Sequence, residues 1–316
     1  MYKKLLALVL GASLVLSVGC GKEPAPRADS GKGSAYAEIV DTAGNKLVLA
    51  KAPQRVVSLS PSYLEMIDAV GGTIVGRTKT INGKVPKSME KVPEVGHVFN
   101  ANMEALVGLK PDLVLLNAGQ HERFVSMLKS NKIEVLLYSP RTFEETKSFI
   151  RDMGKIYNTK DKAEAVCKKM DDEVKTIVAK LPKDKKRIVV MHVTANSVSV
   201  AGSNSIAGSI TDMLGMENVA AKALKGNSEK TSYSMEALLE QDPDILFITS
   251  MGKSKNIEKR LQADFQSNPA WKGLKAVKAG RVYVLSEKLF LVNPGLEYPK
   301  AIQTVAEDAY PEAFKN

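Results

Sequence analysis

The chain has 316 residues, 44% of them hydrophobic and 25% charged, with a formal net charge of +10 and two cysteines. That is ordinary globular composition, and at ~150 residues per domain the length suggests two domains. Cys20 and Cys167 alone exclude a disulfide framework, and 6% aromatics among scattered lysines exclude the basic, aromatic-interleaved stripe of a nucleic-acid binder.

Residues 1–20 open with Met1-Tyr2-Lys3-Lys4, continue through an apolar run over 5–16 and end at Ser17-Val18-Gly19-Cys20. A basic start, a short apolar stretch and small residues make a secretory signal, too short to span a bilayer comfortably. Small residues leading to a cysteine resemble the lipobox of bacterial lipoproteins, with Ser17 where leucine is usual. Cys20 would then carry lipid and become the mature N-terminus, the alternative being an ordinary signal peptide ending in cysteine. Lys3 and Lys4 leave with the signal, so the mature chain carries +8. That excess could favour an anionic ligand or an acidic membrane surface, although a solvated face also explains it. Residues 21–35 hold almost nothing to bury and read as a flexible tether.

Residues 37–49 alternate around a turn signal and predict a hairpin. Residues 55–59 form a buried strand, and Ser62-Tyr63-Leu64-Glu65 reads as a capping box that starts a helix. Strand and helix then alternate through 74–76, 113–116 and 135–138, which argues a largely parallel sheet covered by helices. A breaker-free helical pattern covers 159–181, with apolar Ala163, Val166, Met170, Val174, Ile177 and Val178 three and four apart. A second alternating section follows through 187–193, 198–200, 245–248 and 282–285. The expected architecture is α/β in two lobes, each a mainly parallel sheet flanked by helices, with lobes at 36–155 and 183–316 joined by a long helix at 156–182.

The two lobes share a motif. Met103-Glu104-Ala105-Leu106, followed by Pro111-Asp112 and a Leu-Val-Leu-Leu strand, recurs 132 residues later as Met235-Glu236-Ala237-Leu238, Pro243-Asp244 and Ile-Leu-Phe-Ile. Asn102 and Ser234 stand at the matching cap positions, so each copy reads as a short capped helix, a proline break and a buried strand. The loops that leave those strands, 117–119 and 249–252, would open toward a ligand held between the lobes. Glu104 and Glu236 gain roughly 0.3–1 kcal/mol from their helix N-termini, but their equal placement also suits a clamp on two arginine pockets of a symmetric partner.

Enzyme signatures are lacking: the chain has no Walker loop, no His-Glu-x-x-His, no Gly-x-Ser-x-Gly elbow and no Gly-x-Gly-x-x-Gly. Of three histidines, His97 lies in a loop between Gly96 and Phe99 and is accessible enough to bind a metal such as haem iron. His121 opens a helix after a strand end and is expected to face solvent, while His192 interrupts an apolar strand and is expected to be internally satisfied. Met251, just past the second-lobe strand, offers a soft thioether ligand or plain apolar contact. Arg77 and Arg141 stand just past strand ends, where each could pair with a ligand carboxylate or form a salt bridge across its loop.

The order of these pieces, from 39–44 through 55–61, both repeats, 215–219 and 271–283, resembles the substrate-binding lipoproteins of bacterial ABC importers for iron chelates, haem and cobalamin. The resemblance implies two lobes on a rigid helix, limited closure over a ligand, and delivery to a permease with a cytoplasmic ATPase. Family members dock through one glutamate per lobe, and Glu104 and Glu236 fall at those positions. Haem receptors of the family place a tyrosine ligand where this chain has His97. Another branch pairs a methionine, where this chain has Phe99, with a histidine where it has Met251.

These readings give an extracytoplasmic, lipid-anchored monomer that binds haem or another iron complex, with no intrinsic cofactor, no nucleic-acid partner and no catalysis. His97 and Met251 are the expected iron ligands, Arg77 and Arg141 the partners of acidic groups, and Tyr63, Phe99, Tyr233 and Phe290 the apolar walls. A cobalamin or siderophore receptor is the nearest alternative. Others are a secreted hydrolase using His192 with Ser203 or Ser205, and a zinc or manganese receptor in which the three histidines converge with a carboxylate.

Overall fold

The computed structural model describes residues 35–315 except 82–83, 195–196, 222–223, 225–229, 233, 251–258, 260, 262 and 264–268. The signal and Cys20, the tether up to 34, Tyr233 and Met251 lie outside the described residues. The body opens with the antiparallel hairpin of β1 (Ala37–Val40) and β2 (Lys46–Leu49). Its turn is built on the buried Asp41 carboxylate, which accepts Ala43 N at 3.0 Å and Asn45 N at 2.8 Å. Asp41 also accepts Leu137 N at 2.9 Å, which pins the hairpin to the first sheet.

That sheet is made from β3 (Val56–Ser58), β4 (Gly76–Lys79), β5 (Glu94–His97), β6 (Asn100–Ala101), β7 (Leu113–Asn117) and β8 (Glu134–Tyr138). The strand order is β6-β5-β4-β3-β7-β8, parallel throughout except for the β5–β6 hairpin. Its helices are α1 (Leu64–Ala69), α2 (Met103–Gly108) and α3 (Glu122–Ser130). Two expectations need correction. The fourth strand starts at Gly76, not residue 74. Ser62 does not cap α1, because it sits inside a 3-10 turn, Pro61–Tyr63, that runs straight into the helix. An N-cap needs an extended backbone, and here Ser60 has it (φ −118°, ψ 121°).

Helix α4 (Phe143–Ile156) starts with a capping box between Thr142 and Glu145, and α5 (Lys160–Val178) is the long helix between the lobes. Ala163, Cys167, Met170, Val174 and Ile177 form its buried stripe at alternating steps of four and three. Close approach of α4 and α5 depends on Gly154, where a Cβ would come within 2.6 Å of Ala163 Cβ.

The second sheet contains β9 (Arg187–Val193), β10 (Val198–Ala201), β11 (Glu217–Asn218), β12 (Lys230–Ser232), β13 (Ile245–Ser250) and β14 (Val282–Val284), in the order β12-β10-β9-β13-β14 with β11 beside β9. Its helices are α6 (Ile206–Met213), α7 (Met235–Gln241), α8 (Pro269–Gly273), α9 (Lys275–Lys278), α10 (Glu287–Phe290) and α11 (Tyr298–Ala309), the last packed on α5.

The duplication reaches into the packing. Val56, Leu113 and Leu115 turn toward a core that is shared with α4, α5 and α11, and so do Ile188, Ile245 and Phe247, each 132 residues later. The alternate residues Val57, Val114 and Leu116 pack on the far face of the first sheet, and Val189, Leu246 and Ile248 on the far face of the second. Asp112 accepts Arg55 N at 2.9 Å and Asp244 accepts Arg187 N at 3.1 Å, again at the same offset. The break after each repeat helix passes through a left-handed residue, Lys110 (φ 48°) and Asp242 (φ 37°). The described residues therefore form an α/β protein of two six-stranded sheets, each buried on both faces and joined by one long helix, with the β1–β2 hairpin added to the first.

Candidate functional site

In parallel sheets covered on both faces, ligands meet the loops at the C-terminal strand ends. In the first lobe β4 and β5 end together, with Lys79 opposite His97. Two residues beyond each paired position, Ile81 is 71% and Phe99 is 67% exposed, and His97 itself is exposed. Three accessible side chains, two apolar and one an imidazole, thus lie at or just past the C-terminal ends of two paired strands. Gly96 permits the tight β5–β6 return: its φ is +96°, and a Cβ there would lie 2.8 Å from Asn100 O and from Asn102 N.

The loop after β7 supports these strand ends. His121, expected in solvent, is completely buried at the start of α3. Its Nδ1 accepts Asn117 N–H at 3.0 Å, and its Nε2 lies 2.6 Å from Val98 O. Burial lowers its pKa, outweighing the hydrogen bond to Val98 O, so the ring is held neutral. Arg123 donates from Nη2 to Phe99 O at 2.5 Å while its guanidinium stacks 4.6 Å from the Phe124 ring centroid. Ile81 and Arg123 were both missed from sequence, although an isoleucine between Thr80 and Asn82 in a polar loop was a readable sign.

Arg141 is half-buried past β8. Its N–H donates to Glu145 Oε2 at 2.7 Å, and its carbonyl accepts Tyr298 Oη–H at 2.8 Å. Asn293 Nδ2 donates to Pro140 O at 2.8 Å and to Thr146 Oγ1 at 2.9 Å. The end of β8 is therefore pinned by groups from beyond β14, at the join between the lobes.

Three expected ligand contacts are corrected by burial. Arg77 is 6% exposed: its Nη1 donates to Glu94 Oε1 at 2.9 Å, and its Nε to Met89 O at 3.3 Å. This takes the salt-bridge alternative within the lobe. Tyr63 is fully buried, its ring 4.7 Å from that of Phe149 and its hydroxyl donating to Tyr138 O at 2.7 Å. Burial pushes that phenol far above its ordinary pKa. Phe290 is 3% exposed in the shared core, whereas Val292, two residues on, is 47% exposed.

His192 is internal, with Nδ1 3.1 Å from Thr249 Oγ1. The Thr249 hydroxyl gives its proton to Met191 O at 3.1 Å, so His192 Nδ1 is the donor of that pair. Ser205 is a buried cap whose Oγ donates to Gly202 O at 2.7 Å and accepts Gly208 N at 3.0 Å. The hydroxyl is engaged in starting α6 rather than poised as a nucleophile. Among the described residues no group of three or more His, Cys, Asp or Glu converges as a metal site, which removes the three-histidine arrangement. Glu104 and Glu236 are exposed in the first turns of α2 and α7, behind the Asn102 and Ser234 caps that accept Ala105 N at 3.0 Å and Ala237 N at 3.1 Å.

Two sheets, a long joining helix and accessible groups at strand ends describe a protein that holds something, and residues 56–289 match the family described as periplasmic binding protein. The chain belongs to that family. The Fe(3+)-citrate-binding protein YfmC of Bacillus subtilis (strain 168) is 29% identical over 316 residues, covering 98% of this chain and 96% of that protein. The ABC transporter substrate-binding lipoprotein YvrC of the same organism, itself uncharacterized, is 30% identical over 98% of this chain and 97% of its own. The crystal structure of Staphylococcus aureus IsdE complexed with heme superposes with a TM-score of 0.69 at 25% identity, over 81% of this chain and 98% of that one. The chain is thus a substrate-binding protein of an ABC importer, a transport component that works outside the cytoplasm with a permease and its ATPase.

Proposed function

We propose that this chain captures haem, with His97 as an iron ligand and Phe99 and Ile81 against the macrocycle. One observation carries the reading: at the C-terminal ends of the paired strands β4 and β5, an imidazole and two large apolar side chains, His97, Phe99 and Ile81, are all left exposed. Covering apolar surface yields ~25 cal/mol per Å², and a flat tetrapyrrole would cover both side chains while its iron takes the imidazole. Met251 is proposed as the facing ligand from the second lobe, and Arg141 as a partner for propionate. The haem-bound IsdE relative supports the class of cargo.

A second reading, a carboxylate-rich iron chelate, is favoured by the similarity to YfmC across nearly the whole chain. Titration separates the two. Haemin added to the mature protein should give a Soret shift that His97→Ala abolishes, with Phe99→Ala weakening binding about tenfold through lost apolar contact. An unchanged haemin spectrum, together with calorimetric binding of ferric citrate, would replace the first reading by the second.

The lobes are proposed to run over 36–155 and 183–316 with the joining helix at 156–182, a division supported by the two separate sheets and by α5. Anchoring through lipid on Cys20, after a signal at 1–20 and a tether at 21–35, is supported by the lipobox-like end and by the lipoprotein relative. Glu104 and Glu236 are the proposed permease contacts of a monomeric protein, supported by their exposure and matched caps.

A further inference from the structure

We propose that His121 is a positioning residue for the ligand site: as a neutral imidazole bridging two backbone groups, it fixes the tip of the β5–β6 hairpin that presents His97 and Phe99, with Arg123 as a second tie. The proposal rests on the reading of His97 and Phe99 as ligand contacts, although the fixing itself is a property of the ligand-free protein.

The proton inventory of the ring leaves one arrangement. Asn117 N is a donor, so Nδ1 must be bare to accept from it, and the single proton of a neutral imidazole then sits on Nε2 and is donated to Val98 O. One ring therefore closes the 117–121 turn on one side and holds a carbonyl 23 residues away on the other. The Phe124 ring, 5.9 Å away and tilted by 35°, packs beside it. Arg123 takes the next carbonyl, Phe99 O. Two consecutive hairpin carbonyls are thus held by the first turn of α3.

The hairpin tip needs such support. β5 is held by β4 on its other side, but β6 is a two-residue edge strand whose ladder consists of only Gly96↔Ala101 and His97↔Asn100, so the turn at 98–99 lies beyond the sheet's own hydrogen bonds. Val98 lies between His97 and Phe99, so a displaced Val98 carbonyl reorients the imidazole and the phenyl ring together. A bland internal histidine would contribute stability alone; a positioning one controls the geometry of its neighbours.

Two substitutions separate these roles. His121→Gln carries a terminal amide that reaches toward Val98 O, whereas His121→Asn places its oxygen near the Nδ1 position, keeps Asn117 N–H satisfied and leaves Val98 O without its donor. In ligand-free protein, amide exchange across residues 98–101 should be faster in H121N than in H121Q. Haemin affinity should fall about tenfold in H121N, chiefly through faster dissociation, and be restored in H121Q. Equal exchange over 98–101 in wild type and H121N, or equal affinity losses in H121N and H121Q, would overturn the proposal. Should H121N not fold, Arg123→Gln at its exposed position removes the second tie, and unchanged exchange over 98–101 in that variant would overturn the clamp. A wild-type protein with no haemin spectrum would end the haem reading, while the exchange comparison would still decide the role of His121.

Discussion

At the residue scale, burial separates groups that look alike in sequence. Arg77 and Arg141 both follow strand ends, yet Arg77 lies inside the first lobe, bound to Glu94 and to the Met89 carbonyl, while Arg141 is half-buried at the join between the lobes. Arg77→Met should therefore cost about 2 kcal/mol in denaturant unfolding, because carbonyls and a carboxylate lose a charged donor, and should leave haemin affinity unchanged. A loss of affinity without a loss of stability would return Arg77 to the ligand site. Phe99 and Phe290 show the same divergence between ring positions, one 67% exposed and the other 3%. Residue type indicated which groups could bind a ligand; only the neighbours of Tyr63, Arg77 and Phe290 showed that these three are already occupied within the protein.

At the element scale, periodic patterns were legible and their ends were not. The long helix and most strands fall where apolar spacing puts them, since burial on one or both faces dictates that spacing. The start of α1 was misread because a serine followed three residues later by glutamate resembles a cap whatever the backbone before it does, and here Pro61 begins a helical turn two residues earlier than a Ser62 cap allows. Helix α11 carries a pH-dependent liability of its own. Burial, and then Glu307, push the Asp308 carboxyl up from 3.8 to about 6 at the negative end of the helix dipole. The folded pKa exceeds the unfolded one, so ionisation costs stability fully above pH 6, progressively less as pH falls toward 3.8, and nothing below. Asp308→Asn should raise stability by about 0.5–1 kcal/mol near neutral pH, allowing for its half-exposed setting, and by nothing near pH 3.5. Thermal melts at both pH values check this, and an equal gain at both would refute the electrostatic cause.

At the scale of the whole molecule, the 132-residue offset orders strands, caps, left-handed breaks and both sheet faces, and it places Glu104 and Glu236 at equivalent exposed positions. Replacing both by alanine should leave ligand affinity and folding unchanged while lowering stimulation of the permease ATPase in proteoliposomes by more than about tenfold, as loss of two charged contacts at an interface does. Undiminished stimulation would move the docking surface elsewhere. The sequence by itself determined the α/β class and the duplication, because these rest on local periodicity and on motifs repeated at a fixed spacing, and it indicated the binding role through the resemblance to importer lipoproteins. The tertiary structure alone decided which strand-end side chains remain accessible, leaving Ile81, His97 and Phe99 exposed at the ends of β4 and β5 and burying His121 against Val98 O. That choice depends on contacts between segments distant along the chain, such as His121 with Val98 and Arg77 with Glu94, and no local pattern encodes which of two similar side chains those contacts will cover.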